Sequence, residues 1–289
     1  MYERYWGFQY PPFRETHDPV WYFAGPAHEE ALARLLYVIE RHHQAAWLTG
    51  PLGTGKSLLL HVLADQLRRS AIRSAYLDMA GMDAEEFVWN LSALWQVSRS
   101  MNESFRVQWR RLQDVLESQQ LLADPAVILF DHFDRADASC SAFLGRLQQL
   151  RTSNRSIPSC TLIVSVERRP KPASAALRDE CDFEVALNPF DEDLVAEYVE
   201  ARIRVANGRV NPFSVDAVAE IASLCDGVPA RINQLCELSL LAAMGRGLRQ
   251  VDDDLVVAVA DELMRKQQAP ATRDARTPSA RTPFQTSPW

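Results

Sequence analysis

The eight residues Gly50-Pro51-Leu52-Gly53-Thr54-Gly55-Lys56-Ser57 constrain the chain more than any other stretch. They satisfy G-x-x-x-x-G-K-[ST] at every fixed position, the pattern of a loop that wraps a phosphate chain. Such a loop works only between a strand and a helix. The flanks agree: Ala45 to Thr49 is a short apolar run that reads as a buried strand. Leu58 to Arg69 places Leu59, Val62, Leu63 and Leu67 on one helical stripe. Glycines let the backbone turn its N–H groups inward, and the helix N-terminus adds partial positive charge at the same place. The pattern assigns Gly50, Pro51, Leu52, Gly53, Thr54, Gly55, Lys56, Ser57 and Leu58 to nucleotide phosphates, with Lys56 reaching the β and γ groups. Ser57 is assigned to Mg²⁺. Of 31 Lys and Arg, only Lys56, Lys171 and Lys266 are lysine, so arginine is the usual cation and the loop still keeps a lysine.

The remaining elements form a consistent frame. Ser74 to Asp78 reads as a second strand, followed by helices near 83–98 and 103–122. Ala126-Val127-Ile128-Leu129-Phe130-Asp131 is a continuous apolar run ending in a carboxylate, the pattern of a central parallel strand. Asp131 then stands where a Walker B aspartate reaches Mg²⁺. A helix over 136–152, a strand over 161–166 and a short strand over 183–187 complete an alternating order, which implies a parallel sheet with right-handed crossovers. From Asn188 only helices are expected, over 191–206, 214–225, 229–244 and 252–266. The fold class is α/β: a P-loop NTPase sheet sandwiched by helices, followed by a small all-helical lid. The expected division is an aromatic arm over 1–27, the nucleotide-binding domain over 28–188, the lid over 189–266 and a disordered tail over 267–289. Pro11, Pro12 and Pro26 are expected to break regular structure in the arm, which would pack on the core and help wall a base pocket. His42 and His43 read as a solvated helix end.

Composition narrows the function classes. Hydrophobic residues make up 47% and the net charge is −7, against a general nucleic-acid binder. No run approaches the length of a membrane helix, and the N-terminus lacks the apolar core of a signal peptide. Five cysteines without a C-x-x-C pair read as reduced, mostly buried thiols in a cytoplasmic protein. One local contrast stands out. Arg146, Arg151, Arg155, Arg168, Arg169, Lys171 and Arg178 lie between Ser141 and Arg178 with Glu167 as the sole acid. A solvated face, a protein interface and a nucleic-acid surface all remain open for it.

From Tyr5 to about Met264 the chain resembles the ATPase domain of ExeA/general secretion pathway A type AAA+ proteins. The likeness is carried by Trp6-Gly7-Phe8 with Pro11-Pro12-Phe13 and Asp18-Pro19, the phosphate loop, the strand ending in Asp131, and Gly227-Val228-Pro229-Ala230-Arg231-Ile232-Asn233. It implies a module that binds ATP and Mg²⁺ and associates with itself or an AAA+ relative. It also implies service in secretion, export or, more distantly, transposition. Secretion members continue into a membrane helix and a peptidoglycan-binding domain, neither of which is expected here.

Four accessories depart from that family. His132 replaces the glutamate that activates water, with Asp134 as a stand-in two residues on. Ser165 is the nearest neutral polar group to the γ-phosphate-sensing glutamine. Glu180 takes the place of the arginine aimed at a neighbouring subunit, with Arg178 two residues away. Ala230 takes the place of the lid arginine, and Arg231 next to it is turned by about 100°. The catalytic candidates are therefore His132 and Asp134, and the sensor or trans candidates Ser165, Arg178 and Arg231. An arginine finger alone is worth about 10³–10⁵-fold in rate. The expected function is an ATP-binding module with weak or lost hydrolysis, a regulator or scaffold. A working ATPase and a transposition-type DNA-associated ATPase are the alternatives.

Overall fold

The computed structural model describes residues 2–97, 104–121, 126–148, 160–167 and 183–268. Among these, five strands form one parallel sheet: β1 (Ala45–Thr49), β2 (Ser74–Asp78), β3 (Ala126–Asp131), β4 (Cys160–Val166) and β5 (Phe183–Ala186), in the order β2-β3-β4-β1-β5. Every residue of β1, β3 and β4 is buried, as strands covered on both faces must be. The edge strands β2 and β5 carry exposed positions instead.

Side chains alternate across the sheet and build two cores. Trp47, Ile128, Phe130, Leu162 and Val164 pack against α4 (Ala84–Leu94), α5 (Phe105–Leu121) and α6 (Ala138–Gln148). Ala46, Leu48, Val127, Leu129 and Ile163 pack against α2 (Pro26–Glu40) and α3 (Lys56–Arg69). Leu59, Leu60, Leu63 and Leu67 of α3 are each fully buried there, roughly 1.5–3 kcal/mol of apolar transfer apiece. Local signals set the helix starts. Asp83 forms a capping box with Glu86 ahead of α4.

Four helices follow the sheet: α7 (Glu192–Val205), α8 (Val215–Cys225), α9 (Pro229–Gly245) and α10 (Asp253–Gln268). Asp191 and Ser214 cap α7 and α8 through their side chains.

The N-terminal segment departs from expectation in two ways. Tyr2–Trp6 is a short helix, α1, and Pro26 opens α2 at its first position, where its missing N–H costs nothing. Its aromatic residues Tyr2, Phe8, Phe13 and Trp21 join the core of the C-terminal helices rather than the sheet. Arg202 of α7 is the tie: its guanidinium donates to the carbonyls of Pro12, Arg14 and Trp21 and lies 4.7 Å over the Trp21 ring. His42 and His43 are half-buried, with His43 packed 4.4 Å from Phe183, so they are not a solvated helix end. Cys140, Cys160, Cys225 and Cys236 are buried free thiols. Among the described residues no helix is long and apolar enough to cross a membrane. Arg151, Arg155, Arg168, Arg169, Lys171 and Arg178, together with Glu180, Cys181 and the segment after Gln268, lie outside the described residues.

Candidate functional site

Parallel strands bring their carboxyl ends to one edge, where crevices form. Here that edge carries Thr49, Asp78, Asp131 and Val166, with Asp78 beside Asp131 and Thr49 beside Val166 in register. The loop Gly50–Gly55 leaves β1 at this edge and turns into α3.

Its glycines are needed for close approach. A side chain at Gly50 would run into the Leu187 carbonyl. At Gly53, φ is +86° and an added Cβ would stand 2.7 Å from the Ala230 Cβ. Gly55 is the left-handed residue that starts α3, and Leu59 N–H closes the first turn onto its carbonyl at 2.9 Å. The amides of Lys56, Ser57 and Leu58 therefore have no acceptor within the helix. Thr54 is fully buried and its hydroxyl donates to Pro51 O at 2.9 Å, pinning the loop from inside.

Lys56 is 9% exposed and its ammonium donates to Gly50 O at 2.7 Å and Pro51 O at 2.9 Å. Burial lowers its pKa, opposed by the fields of Asp134, Asp131 and Glu167 in that order. Asp134, exposed in the 3-10 turn Phe133–Arg135, is thus the carboxylate acting most on the lysine.

The Asp131 carboxylate is fully buried. It accepts from the Tyr76 hydroxyl at 2.9 Å on one oxygen and from the His132 N–H at 3.0 Å on the other. Burial, then Asp131, pushes the Tyr76 hydroxyl well above the usual phenol range, so it stays a donor. His132 adopts φ 50° and ψ 38°, a left-handed conformation that costs a non-glycine residue about 1–2 kcal/mol. Its ring lies among three side chains: Nδ1 is 3.0 Å from Asp78 Oδ1 and 3.8 Å from Asp131 Oδ2, and Nε2 is 3.5 Å from Ser57 Oγ. For Asp78, partial burial works against ionisation, but the Ala80 N–H and the His132 ring outweigh it and hold the carboxyl below the usual range.

The other candidates separate. Ser165 stands beside Leu48 in the neighbouring strand, and its buried hydroxyl has no hydrogen-bond partner. Arg231 pairs with Asp226 at 2.7 Å on the exposed side of the lid. Ala230 instead meets the loop: its N–H donates to Gly53 O at 3.1 Å. Arg178 lies outside the described residues.

Three contributors escaped sequence reasoning. Asp78 and Tyr76 were legible only as strand residues; that two strands each end in aspartate was visible, but not that they are neighbours. His28, at the start of α2, is 4% exposed and its Nε2 lies 3.0 Å from Thr54 O. No spacing rule links it to the loop.

The residues fit a phosphate chain with a divalent cation. The loop has no room for side chains at Gly50 or Gly53, its lysine has only loop carbonyls as acceptors, and Ser57 and Asp131 are hard oxygen donors. Among the described residues no group of three or more His, Cys, Asp or Glu is placed to hold a metal ion.

Comparison with known proteins agrees with this geometry. Residues 39–168 match the AAA domain family. The chain is 26% identical over 255 residues to general secretion pathway protein A of Aeromonas hydrophila, covering 87% of this chain and 46% of that protein. It thus spans about half the length of that curated relative. Among solved structures it is similar in fold to Cdc6p from Pyrobaculum aerophilum (TM-score 0.63, 16% identity, 85% of this chain and 70% of that one). It is similar also to Drosophila ORC bound to DNA (TM-score 0.64, 15% identity, 88% and 66%). Loop, strand order, helical C-terminal region and matches converge: the chain has the fold of P-loop AAA+ proteins, its residues 39–168 match the AAA domain family, and it is similar to general secretion pathway protein A.

Proposed function

We propose that this module binds ATP with a divalent cation and turns it over slowly or not at all, acting as a nucleotide-dependent regulator or scaffold in a secretion- or export-type assembly. The observation that carries the reading is the state of the His132 ring. An imidazole, with Nδ1 held 3.0 Å from Asp78 Oδ1, stands at the position where a water-activating carboxylate is expected. The lid adds to this. Arg231 is held by Asp226 away from the loop, and the lid meets Gly53 through the Ala230 backbone, which supplies no cation to a developing charge.

Retention of nucleotide has its own support. Lys56 would exchange two loop carbonyls for phosphate oxygens, and the free amides of Lys56, Ser57 and Leu58 would face the same anion. A bound Mg²⁺ would neutralise charge on the β and γ oxygens. Ser57 would hold it directly, and Asp131, fixed by Tyr76 and the His132 amide, would orient its shell.

Calorimetry with ATP and ADP tests this. Saturable binding to wild type that Lys56→Ala abolishes is expected, and equal absence of binding in both proteins would remove the proposal. A second reading, a working ATPase, keeps Asp134 as the base: it is an exposed carboxylate in the turn after β3, and its charge acts on Lys56. Phosphate release that Asp134→Asn stops would select it.

A further inference from the structure

We infer that the cation beside the nucleotide takes His132 Nε2 as a direct ligand, which biases this site away from Mg²⁺ toward nitrogen-accepting first-row cations such as Co²⁺. The inference rests on the nucleotide reading above and concerns the metal that accompanies the phosphates.

The tautomer follows from the neighbours. Asp78 Oδ1, 3.0 Å from Nδ1, can only accept, so Nδ1 carries the hydrogen and Nε2 keeps its lone pair. A carboxylate on the far nitrogen is the usual partner of a metal-bound imidazole; it fixes the ring and strengthens the near nitrogen as a donor. That lone pair is aimed at Ser57, the residue assigned to the cation. The 3.5 Å separation from Oγ is at the outer limit of a hydrogen bond. It is also the spacing of two neighbours in one coordination shell, since ligands about 2.1 Å from a common ion stand about 3.0–3.5 Å apart.

The remaining geometry keeps the ring in place. The His132 backbone is left-handed, and the next residue, Phe133, is buried. The oxygens of Asp131 already accept from Tyr76 and from the His132 amide, so the imidazole nitrogen is the less committed donor beside Ser57. Ser57 Oγ, His132 Nε2 and two phosphate oxygens make a mixed oxygen–nitrogen set. Imidazole favours Co²⁺, Ni²⁺ and Zn²⁺, while Mg²⁺ prefers oxygen alone.

The test uses the full chain and a non-hydrolysable ATP analogue. Its affinity is measured by calorimetry with Mg²⁺ and with Co²⁺, for wild type, His132→Asn and Asp78→Asn. Asparagine tolerates the left-handed backbone, so His132→Asn removes the ring while keeping the turn. The ratio of Co²⁺ to Mg²⁺ affinity is expected to fall by about tenfold or more in His132→Asn and by a smaller factor in Asp78→Asn. In parallel, pulsed electron paramagnetic resonance of the Mn²⁺–analogue complex is expected to show the ¹⁴N coupling of a directly bound imidazole, lost in His132→Asn. Analogue binding with no such coupling and an unchanged cation ratio would overturn the ligand assignment and leave nucleotide binding standing. No binding with any cation would overturn both.

Discussion

Tyr76 and Gly53 show how much of the site depends on single atoms. The Tyr76 hydroxyl donates to a carboxylate that is fully buried, and a buried acceptor that loses a donor carries a desolvation cost. Tyr76→Phe is expected to lower stability by about 1–3 kcal/mol in thermal melts. Gly53 has φ +86° and stands against Ala230, so Gly53→Ala combines a left-handed penalty with a clash between loop and lid. A loss of about 1–3 kcal/mol is expected, again by melting, together with weaker nucleotide binding. The loop residues were legible because phosphate chemistry fixes residue type and spacing together, and Asp131 because a buried strand that ends in a carboxylate is unusual. Asp78, Tyr76 and His28 were not legible as site residues. Their roles arise from which strands become neighbours and where α2 is laid, and one sequence gives no spacing for either. His132 was visible as a departure, but its link to Asp78 depends on a left-handed backbone that no local pattern announced.

At the scale of elements, α2 and the phosphate loop form a unit through His28. The Thr54 carbonyl can only accept, so Nε2 carries the hydrogen and Nδ1 is bare, buried and without a partner. Burial lowers the pKa of His28, and it does so for His61, with His17 adding to the effect there. In the unfolded chain both imidazoles take up protons as pH falls through about 6.5. The folded chain resists, so the unfolded state binds more protons and stability drops as pH falls below that value. Melting temperature is expected to decrease from pH 7.5 to 5.5, with a shallower slope in His28→Gln, which keeps a neutral donor. An identical slope in the variant would remove His28 from the account. The elements themselves were well anticipated, because caps and periodicity are local. Pro26 was misjudged because a proline that would break a helix interior instead opens one.

Across the whole molecule, the aromatic arm joins the C-terminal helices, and those helices touch the loop at Gly53. Arg202, only 3% exposed, holds the arm through three carbonyl contacts and the Trp21 ring, with Tyr198 of its own helix on another side. Arg202→Met is expected to cost about 2–4 kcal/mol in denaturant unfolding, because three carbonyls lose their donor together. The parallel sheet followed by a helical domain was legible from the alternation of strands and helices, and its AAA+ class from the family resemblance, whereas the attachment of the arm was not, since aromatic residues do not say which core they enter. The central claim is that this chain holds nucleotide in a site whose cutting groups have been replaced. Its most direct test is steady-state phosphate release at ATP concentrations that calorimetry shows to be saturating. The account predicts a wild-type rate at or barely above that of Lys56→Ala; robust release that depends on Lys56 would contradict it.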